Sequence, residues 1–93
     1  MFVTKSPACL DYIEYGIYLS RKKNKFVVEA NLLRIKGCIA FNKNSLLEAK
    51  DCFLKSWDLY AIEGCGLGSA SCEAAVGYIR LVEAEYAMAK KNL

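Results

Sequence analysis

The chain has 93 residues, 55% of them apolar, and sets 13 basic against 10 acidic side chains for a net charge of +3. Those values exclude a wholly disordered chain, suffice for one small domain, and leave no charge excess large enough to name a partner. Histidine is absent and no two cysteines form a Cys-x-x-Cys pair, so the usual ligand sets for zinc and haem and the usual partners of a catalytic serine or thiolate are missing.

Met1 to Lys5 shows neither a basic stretch followed by an apolar run nor a cleavage site, so no targeting segment is expected. Ser6 and Pro7 read as a helix cap and a first-turn proline. The pattern predicts a helix over 7–22 with Leu10, Ile13 and Ile17 in its core stripe and Tyr12, Tyr15 and Tyr18 packed over the remaining face. At its end stand Arg21, Lys22, Lys23 and Lys25, the one local excess of charge. Cations there complement the dipole of a helix C-terminus, and they are also the candidate patch for nucleic acid.

Asn24 is expected to begin a second helix, over 25–41, carried by Phe26, Val27, Ala30, Leu33 and Gly37. Asn42, Lys43 and Asn44 interrupt the apolar pattern, and Ser45 followed by Glu48 fits a capping box for a third helix over 45–63. The short connection makes these two helices antiparallel neighbours and predicts that Gly37 faces Ala49 and Phe53. Gly64, Gly66 and Gly68 are spaced like a phosphate loop, but no strand precedes them and no Lys-Ser/Thr follows. They are expected to end one helix before another capped at Ser69. That last helix should run over 69–91. Val82 to Glu85 contain no breaker, which favours a single long helix, whereas the repeat described next would place a bend there. The five cysteines, odd in number and partly inside helical patterns, are expected to be reduced and to serve as small hydrophobes.

A shift of forty residues carries Ala30, Gly37 and Ala49 onto Ala70, Gly77 and Ala89, and Phe53, Ser56 and Trp57 back onto Ile13, Gly16 and Ile17. With Leu33, Gly37, Ala40, Ala49, Phe53 and Ala61, this spacing of small and large residues resembles the tetratricopeptide repeat (TPR) family, over roughly residues 9 to 91. The resemblance implies an all-α fold in which antiparallel helix pairs stack as a short right-handed superhelix. It also implies a concave face built from the first helix of each pair. The positions that match are Asn31, Arg34, Cys38, Phe41 and Asn42 in one unit and Ser71, Ala74, Tyr78 and Leu81 in the next. Asn31 and Arg34 would then hydrogen-bond a peptide, and Phe41 and Tyr78 would supply apolar contact.

No set of residues has the makings of an active site, so no enzyme, cofactor or metal is expected. The expected function is a cytoplasmic protein–protein interaction or assembly module that binds a peptide, helix or partner subunit through its concave face or its open end. A helical nucleic-acid-binding protein acting through Arg21 to Lys25 is the alternative, and no membrane partner is expected. Only Glu85 to Leu93 remain to close the stack, so Tyr78, Leu81, Val82, Tyr86 and Met88 should stay uncovered and be buried in a homodimer or against another subunit.

Overall fold

Three connections of one design set the architecture. Asn24, Asn44 and Gly64 stand twenty residues apart and are the three residues with positive φ among the described residues, at 55°, 63° and 70°. Asparagine and glycine are the residues that adopt this left-handed conformation at least cost. In each turn the next amide reaches back to the helix it has just left. The N–H of Lys25 donates to the Ser20 carbonyl at 2.8 Å, that of Ser45 to Ala40 at 2.9 Å, and that of Cys65 to Tyr60 at 2.8 Å. This closure satisfies carbonyls that a helix end leaves without partners, and it turns the chain back on itself within three residues.

The computed structural model describes residues 7–91, with side chains from Cys9 onward. The chain is all-α and elongated, with extents of 50 × 35 × 18 Å. The described residues form four helices, α1 (Pro7–Lys22), α2 (Phe26–Asn42), α3 (Leu46–Ile62) and α4 (Gly66–Lys91), each packed against its neighbours in sequence. Met1 to Lys5 and the cap expected at Ser6 lie outside the described residues. The forty-residue repeat thus consists of two twenty-residue units, each a helix and a turn.

The turn design corrects three local expectations. Asn24 does not begin α2; it is the left-handed residue of the turn before it. Ser45 makes no side-chain capping bond, because it enters α3 at φ −88° and ψ 72°, away from the extended backbone that aims a capping hydroxyl at the first turn. Of the three glycines after α3, only Gly64 turns the chain, and Gly66 and Gly68 already belong to α4, which starts ahead of Ser69. Gly68 is there for space: a Cβ on it would lie 2.5 Å from the Tyr60 ring.

A fourth turn would place its left-handed residue at position 84. Alanine stands there, where that conformation costs about 1–2 kcal/mol, and its neighbours Val82, Glu83 and Glu85 carry no breaker. The helix therefore runs on, so α4 has 26 residues where α3 has 17. Its last turns extend beyond the α2–α3 connection.

Among the described residues, most buried apolar side chains form three groups strung along the stack. Ile13 and Ile17 of α1 pack with Leu33 of α2. Ala30, Tyr60 and Cys72 join α2, α3 and α4 at one end of the hairpin, and Ala40, Ala49, Phe53, Val76 and Ile79 join them at the other. Gly37 sits against Phe53 as its spacing predicts, its missing Cβ 3.0 Å from the ring. Ala49 packs with Ala40 in the same core group as Phe53. The buried Ser56 hydroxyl donates to the Ala30 carbonyl at 2.7 Å, tying α3 to α2 through a backbone oxygen that has lone pairs to spare.

Candidate interaction surface

The α2–α3–α4 packing leaves a cleft of about 350 Å³ between α2 and α4, floored by Phe53 and Ile79 and walled by Cys38, Phe41, Asn42, Ala75 and Tyr78. Phe41 is half-buried, because its ring leans on the core formed by Ala40 and Val76. Across the opening it meets Tyr78, with ring centroids 5.7 Å apart and planes tilted by 55°. Cys38, Asn42 and Tyr78 are exposed at the rim. The cleft thus offers aromatic and aliphatic walls with one amide at the edge, a composition suited to an apolar side chain from a partner. Four of the residues expected on the concave face, Cys38, Phe41, Asn42 and Tyr78, are gathered here.

The others are placed differently. Asn31 and Arg34 are engaged inside the molecule by Tyr60, whose hydroxyl donates to the Asn31 side-chain oxygen and accepts from Arg34 Nε at 3.3 Å. The bond to Tyr60 also holds the Arg34 guanidinium above its ordinary pKa, so it stays charged. Ser71 is exposed two turns before Tyr78 on the same flank of α4, away from the cleft lining. Ala74 and Leu81 face outward on α4 and do not line the cleft. On the projecting end, Val82 is half-buried while Tyr86 and Met88 are 57% and 66% exposed.

A second groove, of about 320 Å³, runs between α3 and α4 along Leu54, Trp57, Cys72, Glu73, Val76, Gly77 and Arg80. The Trp57 indole donates to Glu73 at 3.0 Å across its floor. Sequence reasoning passed over Tyr60, Leu54, Glu73 and Arg80. The signal for Tyr60 is its place on the core stripe of α3, seven residues after Phe53, but nothing local marks its partners on α2.

Two of the four residues of the basic cluster are engaged. Arg21 Nε lies 2.6 Å from the carboxylate of Glu29, itself buried, and the Lys22 ammonium lies 5.8 Å from the centre of the Tyr18 ring. The adjoining groove sets Lys55 and Arg21 against Asp58 and Glu29, so its charges balance. Lys23 and Lys25 are exposed on the turn.

All five cysteines are unpaired, and burial pushes the Cys52 thiol up from its ordinary value, which keeps it protonated and unreactive. Among the described residues, no three histidine, cysteine or acidic side chains converge as metal ligands would, and no helix is long and apolar enough to cross a membrane. No protein-family model, curated protein or solved structure matches the chain.

Proposed function

We propose that this chain is a non-catalytic protein–protein interaction module of the tetratricopeptide type, working in the cytoplasm, whose α2–α4 cleft holds an apolar segment of a partner protein. The observation that carries the reading is the open cleft over Phe53, walled by Phe41 and Tyr78. Supporting it, Ala30 and Cys72 meet Tyr60 near the starts of α2 and α4 while Ala40 and Ile79 meet Phe53 farther along, so α2 and α4 run in the same direction, as the first helices of successive pairs would in this reading. The aromatic pair is the recognition element. Asn31 and Arg34 act in this reading as scaffold for that wall, since Tyr60 already occupies them.

Selection of binders from a displayed peptide library on the immobilised chain tests the proposal. The expected binders carry one or two large apolar residues and lose about tenfold or more in affinity on Phe41→Ala or Tyr78→Ala. Failure to select any peptide, or selected peptides indifferent to both changes, overturns it.

A further inference from the structure

The outer face of α4 carries a pattern that neither the fold nor the cleft uses. Leu67, Ala70, Ala74, Gly77, Leu81 and Ala84 follow one another in alternating steps of three and four residues, and all six are exposed. That is the 3.5-residue seam by which one helix packs along another, and a solvated helix face would carry polar residues there. Among the described residues Leu67 is the most exposed large apolar one, at 88%. Gly77 adds a cost without a return inside the chain: a Cβ on it would meet nothing within 4 Å, yet glycine weakens a helix interior.

We infer that this face is the interface of a two-fold dimer, in which α4 packs antiparallel against α4 of a second copy, with Ala74 opposite Gly77 on either side of the axis. The sequence is self-complementary in that register. Leu81 falls opposite Ala70 and Leu67 opposite Ala84, so each large side chain meets a small one, while the Ala74 and Gly77 layers let the helix axes approach. A parallel, in-register pair would instead set Leu81 against Leu81 and Gly77 against Gly77, leaving a gap beside a crowded layer.

Charge points the same way. Glu73 and Arg80 flank the seam on one side, seven residues apart, or about 10 Å along the helix, and Arg80 makes no ion pair with a described residue. Antiparallel packing in this register brings Glu73 of one copy opposite Arg80 of the other, and the two-fold axis makes the pair twice. Glu73 is already held in place by its bond from Trp57, which leaves its second oxygen for the guanidinium. On the other flank Ser71 falls opposite Tyr78 of the second copy. The six seam residues do not line the binding cleft, and Tyr78 borders both surfaces, so the dimer is read from the chain without peptide.

Sedimentation equilibrium of the full chain, with circular dichroism to confirm that each variant is folded, tests the inference. The chain should pass from monomer to dimer as concentration rises to the high micromolar range. Arg80→Glu should raise the dimer Kd about tenfold or more by setting four acidic groups around the axis, and combining it with Glu73→Arg should restore most of the loss. Gly77→Leu should abolish the dimer while leaving the monomer's thermal midpoint undiminished, since the face is open in the single chain. A chain that stays monomeric throughout overturns the dimer. A dimer indifferent to Arg80→Glu or to Gly77→Leu overturns the interface, and a double charge exchange that recovers nothing overturns the antiparallel register.

Discussion

Gly37 and Gly77 occupy the same place in two units forty residues apart, yet they meet opposite surroundings. At Gly37 the next helix has folded back and its Phe53 ring lies 3.0 Å from the position of a Cβ; at Gly77 nothing lies within 4 Å. The same contrast separates Ala30, fully buried, from Ala70, exposed. The difference comes from one position beyond each pair: Asn44 turns the chain after α2, whereas Ala84 lets α4 continue. A repeat in sequence therefore specifies a local backbone path, and the environment of each side chain depends on whether the following unit is present to cover it.

The contrast breaks most visibly at its sealed member. Gly37→Leu has to displace the Phe53 ring from a close-packed crossing and should cost about 1–3 kcal/mol or prevent folding, read as a fall in the urea midpoint. Next in size, Tyr60→Phe keeps the ring that fills the space beside Gly68 but removes the hydroxyl shared by Asn31 and Arg34. It should cost about 1 kcal/mol, since both partners are only half-buried and regain water. At the open member the sign reverses: Gly77→Leu, measured in dilute solution where the chain is monomeric, should raise stability by up to about 1 kcal/mol through helix propensity alone. A loss there similar to that at Gly37 would mean that α4 is covered within the chain.

How much of this was legible in the sequence follows from the range of each interaction. The turns at Asn44 and Gly64 and the Gly37–Phe53 approach are marked locally, by residue types that tolerate a left-handed backbone or a close neighbour. Ser45 misled because hydroxyl and acid at the right spacing name a capping box, while the backbone closure through Asn44 had already set a ψ that misdirects the hydroxyl. Gly66 and Gly68 read as loop because glycine is a poor helix former, and the ring that requires one of them, Tyr60, belongs to the preceding helix. The same long reach hid the engagement of Asn31 and Arg34, which lie 29 and 26 residues from Tyr60 along the chain. The repeat pattern groups Ala74 and Leu81 with Tyr78 as one face, but they stand about 40° and about 60° from it around the helix, and the cleft is narrow enough that only Tyr78 of the three lines it.

The smallest effect belongs to the opposite end of the stack. Lys36 of α2 lies 2.7 Å from Glu14 of α1, and that bond raises its pKa above the ordinary 10.5. The folded chain then holds the proton more tightly than the unfolded chain does. The stabilisation is therefore complete below the unfolded value and fades as pH climbs through the folded one. For a pair whose acid is half-exposed it amounts to less than about 1 kcal/mol. Urea midpoints followed into the alkaline range should show a decline that Lys36→Met makes shallower; an unaltered decline would assign it to other groups.

The central claim is that a partner is held between α2 and α4, and the most direct measurement is chemical-shift mapping of the labelled chain titrated with a peptide selected on it. The account predicts that the largest perturbations cluster at Cys38, Phe41, Ala75, Tyr78 and Ile79, with Leu54 and Trp57 of the other groove and Lys23 and Lys25 of the first turn unmoved. Perturbations centred on Trp57 or on the basic turn would contradict it.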